Sequence, residues 1–251
     1  MPLVQFLIGG TQKSGTSALA HYLDMHPEVR LPLGKEAHVF DNPELDDEDL
    51  SAQRINAKYA AHLQPEDACL HGDATPIYWF LPKLVQRIAR YNPAMKWIIL
   101  LRDPVDRAIS QYYMERGRGQ EHLPLWAALL AEPWRLRGRL DDLSADSPLR
   151  RHSYCARGRY TQQLDSLYAN FPREQVLVLR SMDLRKDPRR CMERTYDFLG
   201  LAVPEHPPTY ALIFEGPETR SRHLFTRWVL RQVFRNELAT LRSRHDIHFD
   251  E

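Results

Sequence analysis

A short apolar run, Val4–Ile8, ends in Gly9-Gly10 and passes through Thr-Gln-Lys-Ser-Gly straight into a stretch where Leu19, Tyr22 and Leu23 share a helical face. Strand, glycine-bearing turn and helix in so few residues open a βαβ unit, which commits a chain to a parallel sheet covered on both faces. The same punctuation recurs downstream. Trp97–Leu101 (WIILL) is apolar throughout and meets Arg102-Asp103-Pro104 before a helix expected over Val105–Arg116. Gln175–Leu179 (QVLVL) reads as another buried strand, and Val29–Leu33 and Ala68–Gly72 as two more candidates. Helical patterns lie over Ser14–Met25, Ser51–Leu63, Leu81–Tyr91, Tyr154–Asn170, Pro188–Leu199 and Arg222–Arg242, the last with Leu230, Phe234, Leu238 and Leu241 in step. The alternation predicts an α/β fold: a three-layer sandwich with a central, mostly parallel sheet flanked by helices, as one domain over residues 1–251.

Three segments fall outside this alternation. Asp41–Asp49 holds six acids and no base and reads as a solvated loop. Glu132–His152 reads as a long surface excursion, and Pro204–Pro217 as a proline-rich connection. A formal net charge of +1 argues against a nucleic-acid partner, so anion recognition has to be local. Cys69, Cys155 and Cys191 are widely spaced, with no ligand cluster around them, which fits a reducing compartment and neither a disulfide framework nor a metal site. The opening MPLVQFLIGG lacks a basic flank and a small-residue cleavage site, and no stretch approaches the length of a membrane span. The expectation is a cytoplasmic protein without stable membrane insertion; the sequence leaves its oligomeric state open.

In such sheets ligands sit at the carboxyl ends of strands, where both Gly9-Gly10 and Arg102-Asp103-Pro104 are expected. The first turn offers an anion the N–H groups of a helix start, the hydroxyls of Ser14, Thr16 and Ser17, and the charge of Lys13. It is not the ATP loop G-x-x-x-x-G-K-[ST], because Lys13 precedes Gly15. The bland alternative is a strand–helix turn with a capping serine. At the second turn, Arg102 offers a planar fork for a phosphate and Ser110 a neutral donor two helical turns on. Asp103 suits an N-cap with Pro104 in the first turn. Arg107 reads equally well as a surface charge. Two anion-binding turns in one sheet suggest a ligand with two separate anionic ends.

The blocks GGTQKSGTSALAHYLDMHP, KEAHVFD, DATPIY, LLRDPVDRAIS, RGRYTQQLDSLYANFPREQVLVL and YDFLGL together resemble the sulfotransferases that use 3′-phosphoadenosine 5′-phosphosulfate (PAPS). They are most similar to the heparan sulfate glucosaminyl type, and the similarity covers most of the chain. The resemblance implies a P-loop-like version of the sandwich and sulfuryl transfer from PAPS, with product PAP and no metal, to a hydroxyl or amine of a glycan, lipid or small natural product. It further implies that Lys13, Ser14, Gly15, Thr16 and Ser17 hold the 5′-phosphosulfate, that Arg102 and Ser110 hold the 3′-phosphate, and that Glu36 of KEAHVFD is the base. Lys13 would stabilise the leaving oxygen. His38, which an extended backbone would turn toward the same cavity as Glu36, would orient the acceptor or share the proton. Tyr160 touches the adenine or belongs to the core. Arg220 and Ser221 are the best match to a C-terminal segment that closes over the 3′-phosphate.

Three departures stand out. Ala74 replaces a lysine of relatives that helps hold the donor near the acceptor, so Lys35 or another cation has to substitute, or the stabilisation is weaker. Gln12 stands where many relatives have proline, and the paired cysteines of secreted relatives are missing. The arginines at 135, 137, 139, 150, 151, 157 and 159 form a solvated face or a site for an anionic acceptor. The last helix, with Phe225 and Trp228 among its arginines, is a core-packed amphipathic helix or a surface binder. Two other readings stay open: a nucleotide kinase or other phosphotransferase, and a non-catalytic protein that binds PAPS or PAP.

Overall fold

The computed structural model describes residues 1, 3–45, 47–63, 69–205, 210 and 223–249. Two compact units make up the chain, Met1–Leu101 with Asp165–Phe214, and Arg102–Leu164 with Glu215–Glu251. The first holds a five-stranded sheet: β1 (Phe6–Ile8), β2 (Val29–Arg30), β3 (Leu70–Asp73), β4 (Lys96–Leu101) and β5 (Val176–Arg180). Its order is β2-β3-β1-β4-β5 and every neighbouring pair is parallel, with Phe6 opposite both Gly72 and Lys96, and Ile98 opposite Leu177. The chain leaves β1 toward β2 on one side and leaves β4 toward β5 on the other. The carboxyl ends of β1 and β4 are therefore the topological switch point, where open α/β sheets keep their ligands.

Helices α1 (Thr16–Asp24), α2 (Ala52–Tyr59), α3 (Pro82–Tyr91), and further on α8 (Ser181–Lys186) and α9 (Pro188–Leu199) also belong to this unit. Leu19 and Leu23 of α1 and Met192, Tyr196 and Leu199 of α9 pack with Phe6, Ile8, Ile98, Leu100 and Leu179 in one buried cluster. The pleat turns Leu7, Trp97 and Ile99 to the opposite face, where Trp97 meets Phe171 edge-on. α9 shows its sequence punctuation in full. Asp187 accepts from the Arg190 N–H at 3.0 Å, Pro188 occupies the first turn, and Gly200 closes the helix at φ 80°.

The second unit is helical: α4 (Pro104–Gly117), α5 (Leu125–Leu136), α6 (Pro148–Arg151), α10 (Leu224–Val233) and α11 (Arg235–His245), with α7 (Tyr160–Tyr168) carrying the chain back to the first unit. Its core gathers Val105, Ile109 and Tyr112 of α4 with Leu125 and Ala128 of α5, Leu230 and Phe234. Three expectations are corrected here, and one unassigned segment gains a structure. The excursion expected over Glu132–His152 contains the end of α5 and all of α6, and Glu132 is buried, accepting from the Cys155 and Ala156 N–H groups. The helix expected over Arg222–Arg242 breaks at Phe234, whose buried ring packs into the core at the junction of α10 and α11. Ser181–Lys186, unassigned in sequence, is α8. The acidic loop is not merely solvated: Asp41 is fully buried, and Asp47 pairs with Lys83 and with the buried Arg87.

Candidate active site

The turn after β1 stays registered on the sheet: Gly9 N–H donates to Ile98 O and Thr11 N–H to Leu100 O, both at 3.1 Å. A side chain at Gly10 would place its Cβ 2.2 Å from the Leu100 nitrogen, so only glycine lets the turn lie this close to β4. Gly15, at φ 96°, is the N-cap of α1 and offers the first-turn N–H groups no side-chain acceptor. Among the described residues, two buried hydroxyls of this turn, Thr11 Oγ1 and Ser14 Oγ, have no hydrogen-bond partner. Buried donors left over at the start of a nine-residue helix fit an anion.

The stretch after β2 is brought against this turn. Lys35 Nζ donates to Thr16 Oγ1 at 3.2 Å, to Ser17 Oγ at 3.1 Å and to Glu36 Oε1 at 2.9 Å. Glu36 Oε2 lies 3.3 Å from His38 Nε2, and His38 Nδ1 lies 2.9 Å from Asp41 Oδ2. A continuous chain of charges thus runs from the helix start through Lys35, Glu36 and His38 to a buried carboxylate. Burial pushes the Glu36 carboxyl up, but the His38 hydrogen bond and the Lys35 charge outweigh it and hold the group below its ordinary value. His38 is pushed up to about 9, first by its hydrogen bond to Asp41, then by Glu36, against an opposing effect of burial. The Glu36 carboxylate thus lies between Lys35 on Oε1 and, on Oε2, a His38 held toward its charged form.

Lys13, Lys35 and His38 all have positive φ, 74°, 79° and 52°. Such backbone costs of order 1–3 kcal/mol each and persists where surrounding structure over-determines it. The segment after β3 does so for the Glu36 stretch. Buried Asp73 accepts from Ala37 N–H, Thr75 Oγ1, Tyr59 OH and Tyr78 OH, while Tyr78 OH in turn accepts from Val39 N–H at 2.8 Å. Ala74 is fully buried, and its N–H donates to Lys35 O at 3.3 Å. Asp41, Asp73 and Tyr78 were not among the site residues expected from sequence, though the blocks KEAHVFD and DATPIY, already part of the resemblance, contain them.

The remaining expected residues lie in the second unit or outside the described residues. Arg102 follows directly on β4, and its carbonyl accepts from the buried Tyr160 hydroxyl at 2.8 Å, which places Tyr160 in the core of its unit. Asp103 caps α4 as expected, accepting from the Val105 and Asp106 N–H groups. Ser110 is half-buried on α4. Arg107 is not a surface charge: it is fully buried and donates to Gln111 Oε1 and Tyr154 O. Arg220 and Ser221 lie outside the described residues. Several arginines expected on a basic face are bonded internally instead. Arg135 pairs with Glu121 and Arg151 with Asp146, while Arg150 and buried Arg157 donate to carbonyls of residues 143–150.

The family model described as "Sulfotransferase domain" matches residues 3–212, spanning the sheet and the charge chain above. The chain belongs to the sulfotransferase domain family. Among curated relatives of this sulfotransferase-family chain, human heparan sulfate glucosamine 3-O-sulfotransferase 6 is 34% identical over 199 residues, covering 78% of this chain and 52% of that protein. Human heparan sulfate glucosamine 3-O-sulfotransferase 3B1 is 31% identical over 201 residues, 79% of this chain and 46% of that protein. The chain thus spans about half the length of the curated relatives it matches. Among solved structures, a sulfotransferase from Alicyclobacillus acidocaldarius aligns with TM-score 0.75 and 28% identity over 97% of this chain and 96% of that one. Mouse sulfotransferase SULT7A1, complexed with PAP, shares the fold at TM-score 0.52 and 17% identity over 82% of this chain and 62% of that one.

Proposed function

We propose that this chain transfers a sulfuryl group from PAPS to a hydroxyl or amine of an acceptor, with Glu36 as the base. One observation carries the reading: a single ammonium, Lys35 Nζ, is bonded both to the hydroxyls of the anion-binding turn and to the Glu36 carboxylate. The proton acceptor therefore sits beside the turn that would hold the transferring group. The unpartnered hydroxyls of Thr11 and Ser14 and the open first turn of α1 suit a phosphosulfate. Bound PAPS would supply an electrophilic sulfuryl group on a phosphate leaving group.

Lys13, with Ser14, Gly15, Thr16 and Ser17, would hold that end and offset the charge developing on the leaving oxygen. Arg102 and Ser110 would hold the 3′-phosphate. Glu36 would take the proton of the attacking acceptor as its oxygen or nitrogen bonds to sulfur. His38, charged and bonded on both ring nitrogens, has no free lone pair for that proton, so its role is to orient Glu36. Lys35 takes the place of the cation missing at Ala74, since a lysine at 74 would begin inside an apolar cluster whereas Lys35 already reaches Thr16 and Ser17.

Among acceptors, a glycan hydroxyl is favoured by the curated relatives, whose names specify heparan sulfate glucosamine. The three free thiols, Cys69, Cys155 and Cys191, support a reducing, cytoplasmic setting. The test is a thermal-shift titration with 3′,5′-adenosine bisphosphate, ADP and ATP on wild type and Arg102→Ala. The expected outcome is stabilisation by the bisphosphate in preference to ADP and ATP, weakened in the variant. Preference for ATP with magnesium would replace this reading with phosphotransfer. Bisphosphate binding without turnover on any glycan, lipid or small-molecule acceptor would leave a PAP-binding protein.

A further inference from the structure

Two helices of the second unit turn apolar faces to solvent. On α5, Leu125 and Ala128 pack against α4, while Trp126, Leu130 and Trp134, one helical turn apart from each other, point outward. On α10, Leu230 packs inward and Leu224, Phe225 and Trp228 point outward, the Phe225 and Trp228 rings stacked with centroids 6.1 Å apart. All six outward side chains are between 60% and 80% exposed. Isolated exposed apolar residues need no explanation, but two helix faces with three aromatic anchors between them and a further phenylalanine mark a binding surface.

The charge around these faces identifies the occupant. Glu132 is the only acid of α5, and it is buried on backbone N–H groups; α10 has no acid at all. Arg137 and Arg139 are exposed just past α5 and Arg235 just past α10, while Arg231 at the end of α10 pairs with Asp103. A self-complementary contact with a second copy repeats one patch on both partners and would set these arginines against one another. An anionic lipid surface meets both needs, apolar depth for the rings and phosphate for the guanidinium groups. Among the described residues no helix is long and apolar enough to cross a membrane, so the contact is with the surface. We propose that the outward faces of α5 and α10 dock this protein on an anionic bilayer, with the tryptophan rings set at the headgroup level.

The experiment is flotation of the full chain with phosphatidylcholine vesicles, with and without phosphatidylglycerol, alongside tryptophan emission and quenching by brominated lipid. Trp79 and Trp97 are buried, so quenching reports the exposed rings. Wild type should float with the anionic vesicles, shift its emission to the blue and be released by high salt. Trp126→Ser with Trp134→Ser, and Phe225→Ser with Trp228→Ser, should each weaken binding on the order of tenfold. Both pairs should keep the wild-type melting temperature, because the replaced side chains are exposed. Arg137→Glu with Arg139→Glu should abolish the preference for phosphatidylglycerol. Absence of wild-type binding to anionic vesicles, or undiminished binding by both apolar variants, overturns the proposal. A wild-type dimer in sedimentation velocity that the same substitutions split, without vesicle binding, assigns the surface to a second copy instead.

Discussion

In the proposed reaction Glu36 and Lys35 divide the chemistry at the residue scale, and their substitutions separate it. Glu36→Gln keeps the shape and removes the proposed proton acceptor, so turnover should fall by about 10²–10⁴ while the thermal shift with the bisphosphate survives. Lys35→Ala should lower kcat more than it raises the Kd of the bisphosphate, because its ammonium lies where the sulfuryl end would sit, not at the 3′ end; Lys35→Arg should recover part of the rate. The flanking titrations give a pH signature. His38, raised from 6.5 to about 9, adds stability that is complete below 6.5 and lost as pH rises through about 9. Glu36, held below 4.5, adds stability present above 4.5 and lost as pH falls through its lower folded value. The chain of charges is therefore whole between those limits, and kcat/KM should be flat across neutrality and decline near pH 9. In Asp41→Asn, the loss of the strongest influence on His38 should move that decline toward neutral pH, as a pH–rate series would show.

Two supports at the scale of elements can be tested separately from the chemistry. Gly10→Ala would drive a methyl into the backbone of β4, which is held on both sides in the sheet and cannot retreat. A destabilisation on the order of 3 kcal/mol is expected, read from denaturant midpoints. Tyr78→Phe removes the hydroxyl that accepts from Val39 N–H and donates to Asp73 inside the core. Leaving those groups unsatisfied should cost about 1–3 kcal/mol. It should also depress kcat, since the platform holding Glu36 and His38 loosens. Asp103→Ala removes the α4 cap, at about 1 kcal/mol. Its ion pair with the half-exposed Arg231 is lost in the same variant.

For the molecule as a whole, a ligand that binds only the folded state stabilises it by its concentration over its Kd, about 2.7 kcal/mol at a hundredfold excess. The bisphosphate titration therefore tests the proposed donor site without any knowledge of the acceptor. The same scale shows where charge counts mislead. A near-neutral total conceals a buried Arg107, arginines spent on loop carbonyls, and exposed arginines bordering two apolar helix faces. Composition sees the sum, while function depends on which charges remain outside.

Local rules made much of this protein legible in its sequence. The strand cores of β1, β4 and β5, the glycine turn into α1, the Asp103-Pro104 start of α4 and the Pro188-to-Gly200 bounds of α9 are set by residues adjacent in the chain, because caps, turns and pleats are short-range geometry. α5 escaped notice because its outward face is as apolar as its inward one, which erases the periodicity that marks a surface helix. Only tertiary structure decided that Lys35 reaches Thr16 and Ser17, that Asp41 is buried behind His38, and that Asp73 and Tyr78 brace the stretch between them. Apart from His38 and Asp41, those partners lie 18 to 39 residues apart in sequence. A side chain's charge state and bonding depend on what the fold packs against it, which no local pattern encodes.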